Sequence, residues 1–162
     1  MTTFYTNQSM IGANLNATDT SAQFAVNTRT IGSSDTLWVY VEANGAITTG
    51  DLVSISTLGT ATRCLTSGGS NAAFSDIAFA QNAFASGEFG WVAKNGANVY
   101  VAVSSTAALS AVLYVATSSG KLSTTSASGT LMGVSLLTAV ATATTTVTNA
   151  NLTWPKWANT GN

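Results

Sequence analysis

Histidine is missing from this 162-residue sequence, and cysteine and proline each occur once. Without histidine the chain has neither the commonest general base nor the commonest metal ligand. The lone Cys64 has no partner for an intrachain disulfide. Charge is scarcer still. Five basic and six acidic side chains leave a net charge of −1, and charged residues make up 7% of the chain, against about 25% in ordinary soluble domains. So few cations cannot neutralise a phosphate backbone, which argues against nucleic-acid binding. No run of 18 apolar residues is present, so no membrane-spanning helix is expected. The opening Met1-Thr2-Thr3-Phe4-Tyr5 lacks a basic stretch leading into an apolar one, so it does not read as a secretory signal.

What fills the sequence instead is Ala, Ser and Thr, about 44% of all residues, a bias outside the usual composition norms. The length suits one domain with a core large enough to fold without disulfides or metal. Residues 1–35 are polar and aperiodic and read as an extended N-terminal arm, with one short strand over Gln23–Val26. From residue 36 to 150, short β-branched and aromatic runs alternate with Gly and Asn turns every 8–12 residues. Examples are Leu37–Glu42, Leu52–Ser56, Asp76–Gln81 and Val112–Ala116. Phe89–Ala93 and Asn98–Val103 flank Lys94-Asn95-Gly96-Ala97, which reads as the clearest hairpin in the chain. The fold class expected is all-β, a small sandwich or barrel of short antiparallel strands. Residues 151–162 form a C-terminal tail with two tryptophans. Leu52–Arg63 and Val112–Thr124 resemble each other faintly, each an apolar strand, a Gly turn and a Thr-rich return. Two such hairpins do not make a repeat array.

Few residues are candidates for chemistry. Asp19, Asp35, Glu42, Asp51, Asp76 and Glu88 are dispersed, whereas a glycosidase needs two carboxylates about 5–10 Å apart. Each sits near a turn or strand end and is expected to be solvated. Cys64 neighbours Arg63, but adjacent strand residues face opposite sides, so a buried inert thiol is expected. There is no phosphate-binding glycine loop, because Gly120-Lys121 runs into Leu122. No catalytic residue, cofactor site or metal site is expected.

The aromatic residues are more informative. Phe74, Phe79, Phe84 and Phe89 recur every five residues, a period that fits neither strand nor helix, so the segment must turn within itself and supply core. Trp154 and Trp157 lie near one end of the chain, and Phe4, Tyr5 and Met10 near the other. Terminal aromatics imply docking, on the same domain or on a partner, so these five are the candidate contact residues. A β surface of Ser, Thr, Asn and Gln with three lysines and one proline does little to guard its strand edges, which suits edges covered in an assembly.

Val41-Glu42-Ala43-Asn44-Gly45-Ala46 followed by Gly50-Asp51-Leu52-Val53, and later Ile77–Gln81, Phe89–Val92, Leu113–Ala116 and Gly133-Val134, together resemble small structural proteins of tailed bacteriophages. The order is similar to capsid decoration, or cement, proteins of marine phages, over roughly residues 37–148. That resemblance implies a β-rich, non-enzymatic protein on the outer capsid surface of the virion. Its partner would be the major capsid protein, and it would form a homo-oligomer, with a trimer favoured. Deleting residues 1–30 would then weaken attachment and leave the β domain folded. The alternatives are another virion component such as a tail-tip or glycan-binding adhesion module, a non-viral surface layer, and a small cell-wall hydrolase.

Overall fold

The computed structural model describes residues 13–65, 76–116, 120–125 and 130–158. The fold is all-β, as the turn spacing predicts. Among the described residues, eleven strands run in chain order: β1 (Thr18–Asp19), β2 (Arg29–Ile31), β3 (Leu37–Ala43), β4 (Leu52–Ile55), β5 (Thr60–Arg63), β6 (Ile77–Ala80), β7 (Phe89–Val103), β8 (Leu113–Val115), β9 (Leu122–Ser123), β10 (Thr130–Leu136) and β11 (Thr146–Ala158). One 3-10 turn, Ser33–Asp35, precedes β3. No helix among the described residues is long and apolar enough to cross a membrane.

The pairings close the sheet into two five-stranded rings. In the first, β3 pairs with β5, β5 with β4, β4 with β6, β6 with β7, and β7 returns to β3. In the second, β7 pairs with β9, β9 with β8, β8 with β10, β10 with β11, and β11 returns to β7. Closure removes most free edges, so this chain needs few of the charges and prolines that guard open sheets. Each ring is antiparallel apart from one pairing, β3 with β5 and β7 with β9. The expectation of antiparallel strands alone therefore fails at the same place in both rings.

The two rings repeat one design. The apolar cluster inside the first ring is Val39, Val41, Ala43, Ile47, Val53, Ile55, Ala61, Ala78, Ala80, Phe84 and Val92. By register, these positions become Val99, Val101, Val103, Ala107, Leu113, Val115, Leu122, Leu131, Leu136, Val140 and Ala150, all buried in the second core. The cross-strand pairs correspond: Val39 with Val92 becomes Val99 with Ala150, and Ile55 with Ala61 becomes Val115 with Leu122. Isolated bridges correspond too, Ile47 with Phe84 and Ala107 with Val140. Large and small residues trade places between the copies. Ile47 and Phe84 fill the first ring around Ala43, Ala61 and Ala80, while Val103, Leu122 and Leu136 fill the second around Ala107. Compensated volume of this kind keeps both interiors close-packed. The likeness of Leu52–Arg63 to Val112–Thr124 is thus one visible piece of a duplicated fold.

The Lys94–Ala97 hairpin does not form. β7 runs unbroken for 15 residues and belongs to both rings. Its first half pairs with β3 and β6, and its second half with β11. Gly96 at φ 128° and Asn98 at φ 57° bend the strand where it crosses over. Asn-Gly supplies the left-handed backbone that a hairpin would need, and here that freedom absorbs a bend. A side chain at Gly96 would run into Thr36.

Leu52, Ile77, Phe79 and Ala93, which face out of the first ring, join Cys64 in the core cluster of the second. The seam is close: the Gly50 carbonyl accepts the Ala102 N–H at 2.8 Å. Gly50 belongs to the turn Thr48–Asp51. Asp51 is fully buried, and its Oδ2 accepts the Thr48 N–H at 2.8 Å. This corrects the expectation of a solvated side chain. Burial of a carboxylate is tolerable where it satisfies a backbone donor that would otherwise lack a partner. Ala85–Glu88 repeats the device, with Glu88 Oε2 accepting the Ala85 N–H at 2.8 Å.

The segment from Ala13 to Ile31 lies against the outside of the first ring. Leu15 is buried with Tyr40 and Trp91, and Phe24 packs on the side chains of Tyr40 and Trp91 at 5.3 and 5.4 Å between centroids. The strand expected over Gln23–Val26 lies instead at Arg29–Ile31, paired with Leu37–Val39. Burying Leu15 is worth about 1.5–3 kcal/mol, and partly buried Phe24 adds to it. Removal of residues 1–30 would take Leu15 and Phe24 away from Tyr40 and Trp91 and is therefore expected to weaken the fold. The boundary expected after residue 150 falls inside β11, which continues to Ala158 alongside β10.

Candidate binding surfaces

Among the described residues, no three His, Cys, Asp or Glu side chains converge. Cys64 is wholly buried, and burial pushes its thiol well above the ordinary range, because the charged thiolate would lose its hydration. Asp76 pairs with Lys94. Gly50 and Asp51 of the resembled Gly-Asp-Leu-Val run form the seam between the rings.

The five candidate contact residues separate. Phe4, Tyr5 and Met10 lie outside the described residues. Trp157 is half-buried and packs against the second core. It sits opposite Leu131 in the pairing of β10 with β11. Trp154, three residues earlier, is 56% exposed. Its backbone lies at φ 46°, a region that bulky residues rarely occupy. Asn95 at the crossover of β7 holds it there, its Oδ1 accepting the Trp154 N–H at 2.9 Å. The strained backbone turns the ring outward at a groove of about 300 Å³ lined by Asp76, Ile77, Lys94, Trp154, Pro155 and Lys156. Met132, 58% exposed, lies on the neighbouring strand opposite Lys156.

A second concavity, of about 410 Å³, lies between the rings. Its wall includes Leu15, Asn16, Trp38, Gln81, Asn98, Tyr100 and Asn149, and none of its lining residues is charged. Gln81 closes one end. Its Oε1 accepts the Tyr100 N–H at 2.9 Å, and its Nε2 donates to the Tyr100 carbonyl at 3.1 Å. None of these residues stands out in the sequence, because they come from five separate segments and include no Asp, Glu, Lys or Arg.

No family model matches this chain, and neither the curated proteins nor the solved structures yield a match.

Proposed function

We propose that this chain is a structural virion protein that decorates and stabilises the outside of an icosahedral phage capsid. The observation that carries the reading is Trp154, held outward on strained backbone at a groove it shares with Lys156 and the Lys94–Asp76 pair, with exposed Met132 on the neighbouring strand, in a chain of net charge −1. Backbone strain of this sort costs about 1–3 kcal/mol and persists where the surroundings enforce it, often at sites of contact. An exposed aromatic with an exposed thioether on the neighbouring strand is an anchor for a partner protein, since Trp and Met are enriched where interfaces bury. The closed rings suit a load-bearing part, because each strand is tied on both sides. The partner is the major capsid protein, and a trimer remains the favoured assembly.

Attachment through apolar anchors, repeated over many copies, gives a particular salt response. Binding of the purified chain to bare shells, measured by co-sedimentation, should change less than about twofold between low and moderate NaCl, since screening acts on charge-steered contacts. Trp154→Ala should weaken that binding about tenfold or more, as loss of a hot-spot aromatic does. Steep loss of binding with salt, or unchanged binding by Trp154→Ala, would refute this mode of attachment.

The same tryptophan favours a second reading, a glycan-binding adhesion module at a tail tip. An exposed indole at a groove that also holds Lys156 and the Lys94–Asp76 pair is a platform on which a sugar ring stacks. Glycan-array binding abolished by Trp154→Ala, with density for the chain at the tail in maps of intact particles, would select this reading over decoration.

A further inference from the structure

The duplication places different side chains on the outer faces of the two rings. In the first ring this face carries Trp38, Tyr40 and Trp91, and the last two are buried with Leu15 and packed by Phe24. By register their equivalents in the second ring are Asn98, Tyr100 and Asn149, since Tyr40 faces Trp91 and Tyr100 faces Asn149. An aromatic cluster in one copy is one ring flanked by two amides in the other. No strand of the described residues stands against Ala97–Val99 as β2 stands against Leu37–Val39. Asn98, Tyr100 and Asn149 instead line the cleft of about 410 Å³, together with Trp38, Ser34 and Thr36.

This wall is held in place. In the first ring the Thr28 carbonyl and the Asn27 N–H bond the backbone of Tyr40. In the second, the amide of Gln81 makes both equivalent bonds to Tyr100. Ser34 and Asn98, each at φ 57°, and Asp35 at φ 54° occupy left-handed backbone that side chains rarely adopt. Of the five such non-glycine residues among those described, three thus lie in the wall of one cleft or beside it. Strain of this kind gathers at ligand sites, where the surroundings enforce it.

We propose that this cleft binds a neutral saccharide, with the apolar face of a sugar ring on Tyr100 and its hydroxyls on the amides of Asn98 and Asn149. The chemistry of the wall selects that class. It carries no Asp, Glu, Lys or Arg, so an anion would meet no cation there and a metal ion no carboxylate. A purely apolar ligand would bury amides without partners. Among the described residues, the side chains of Asn98 and Asn149 make no hydrogen bond within the protein, in contrast to that of Gln81. Each offers two donors and an acceptor, which suits hydroxyls that both donate and accept. Tyr100, 46% exposed, adds an apolar ring with a polar tip. The volume falls within the range of about 300–1,000 Å³ usual for small-molecule sites. A wall fixed by Gln81 and by strained backbone has little ordering left to do when the sugar arrives. The cleft shares no residue with the Trp154 groove, so the inference stands whether the chain sits on a capsid or at a tail tip.

The test is a titration of the full chain, followed by nitrogen–proton correlation NMR, with neutral trisaccharides of glucose, galactose, mannose or N-acetylglucosamine and with sialylated and sulfated trisaccharides beside them. At least one neutral sugar should shift the backbone amides of Asn98, Tyr100 and Asn149 and the Trp38 indole N–H along one saturating curve at millimolar concentration. Asn98→Gly removes an amide and keeps the left-handed backbone without strain, and Tyr100→Ala removes the exposed ring. Each should raise the Kd about fivefold or more. The spectra of the unaltered chain decide the matter even where a variant folds poorly. No cleft shift with any neutral sugar, cleft shifts with charged sugars alone, or an unchanged Kd in both folded variants would overturn the proposal. So would shifts confined to the Trp154 groove, which would support the adhesion reading and leave this cleft without a sugar.

Discussion

At Gly50 a single hydrogen atom in place of a side chain decides whether the two rings can meet. A Cβ there would lie 2.6 Å from the Ala102 backbone nitrogen, at φ 83°. Gly50→Ala should therefore cost about 2–4 kcal/mol, from overpacking against rigid backbone together with left-handed strain; urea denaturation measures it, and a loss below 1 kcal/mol would show that the seam is looser. Cys64 makes a second residue-scale case. Its folded pKa is raised above the unfolded value, so the native state holds its proton where the unfolded state releases it. The sign follows: stability is unaffected below the unfolded thiol pKa of about 8.5 and falls above it, by about 1.4 kcal/mol per pH unit. Cys64→Ala should remove that slope, which shows in the difference between the two proteins' denaturation curves at pH 8 and pH 10. The inert, buried thiol was legible from an apolar strand with no histidine to pair it. The burial of Asp51 was not, since nothing local distinguishes a turn on the surface from one pressed against a second ring.

β7 carries the most consequence of any element. Lys94-Asn95-Gly96-Ala97 has the composition of a hairpin turn, and local rules assign one. Each half of β7 instead finds a better partner elsewhere: Phe89–Ala93 lies against β3, and Val99–Val103 against β11. Asn-Gly permits a hairpin and equally permits a bent crossover, and pairing partners far along the chain choose between them. Asn95 has a further task in fixing Trp154. Asn95→Ala should cost about 1 kcal/mol through the lost bond to the Trp154 N–H, and should shift the tryptophan emission that reports on this surface. An unchanged spectrum would mean that β11 holds Trp154 without Asn95.

For the whole molecule, duplication with a shared strand predicts cooperativity. Leu52, Ile77 and Phe79 face out of the first ring and are buried only because the second packs on them. Separation of the rings would bare these side chains at about 1.5–3 kcal/mol each. The chain should therefore unfold in one transition, with Trp91 in the first ring and Trp157 beside the second reporting the same midpoint. Two midpoints would mean independent rings. The strand-and-turn spacing made the all-β class readable, and alternation placed Val39, Val41, Val99 and Val101 together on inward faces. The duplication was nearly invisible because the two interiors share a shape and not a sequence: Ala61 answers to Leu122, and Ile47 to Ala107.

Hydrophobic alternation, turn chemistry and scarcity of charge are local properties, and residues close in sequence suffice to express them. They made this chain a β protein with neutral surfaces and an unreactive cysteine. Ring closure, the passage of β7 between rings, the burial of Asp51 and the cleft of Trp38, Gln81, Tyr100 and Asn149 each depend on contacts between distant segments. Their free energy comes from volumes filled and backbone groups satisfied across the whole fold, and no window of the sequence contains both partners.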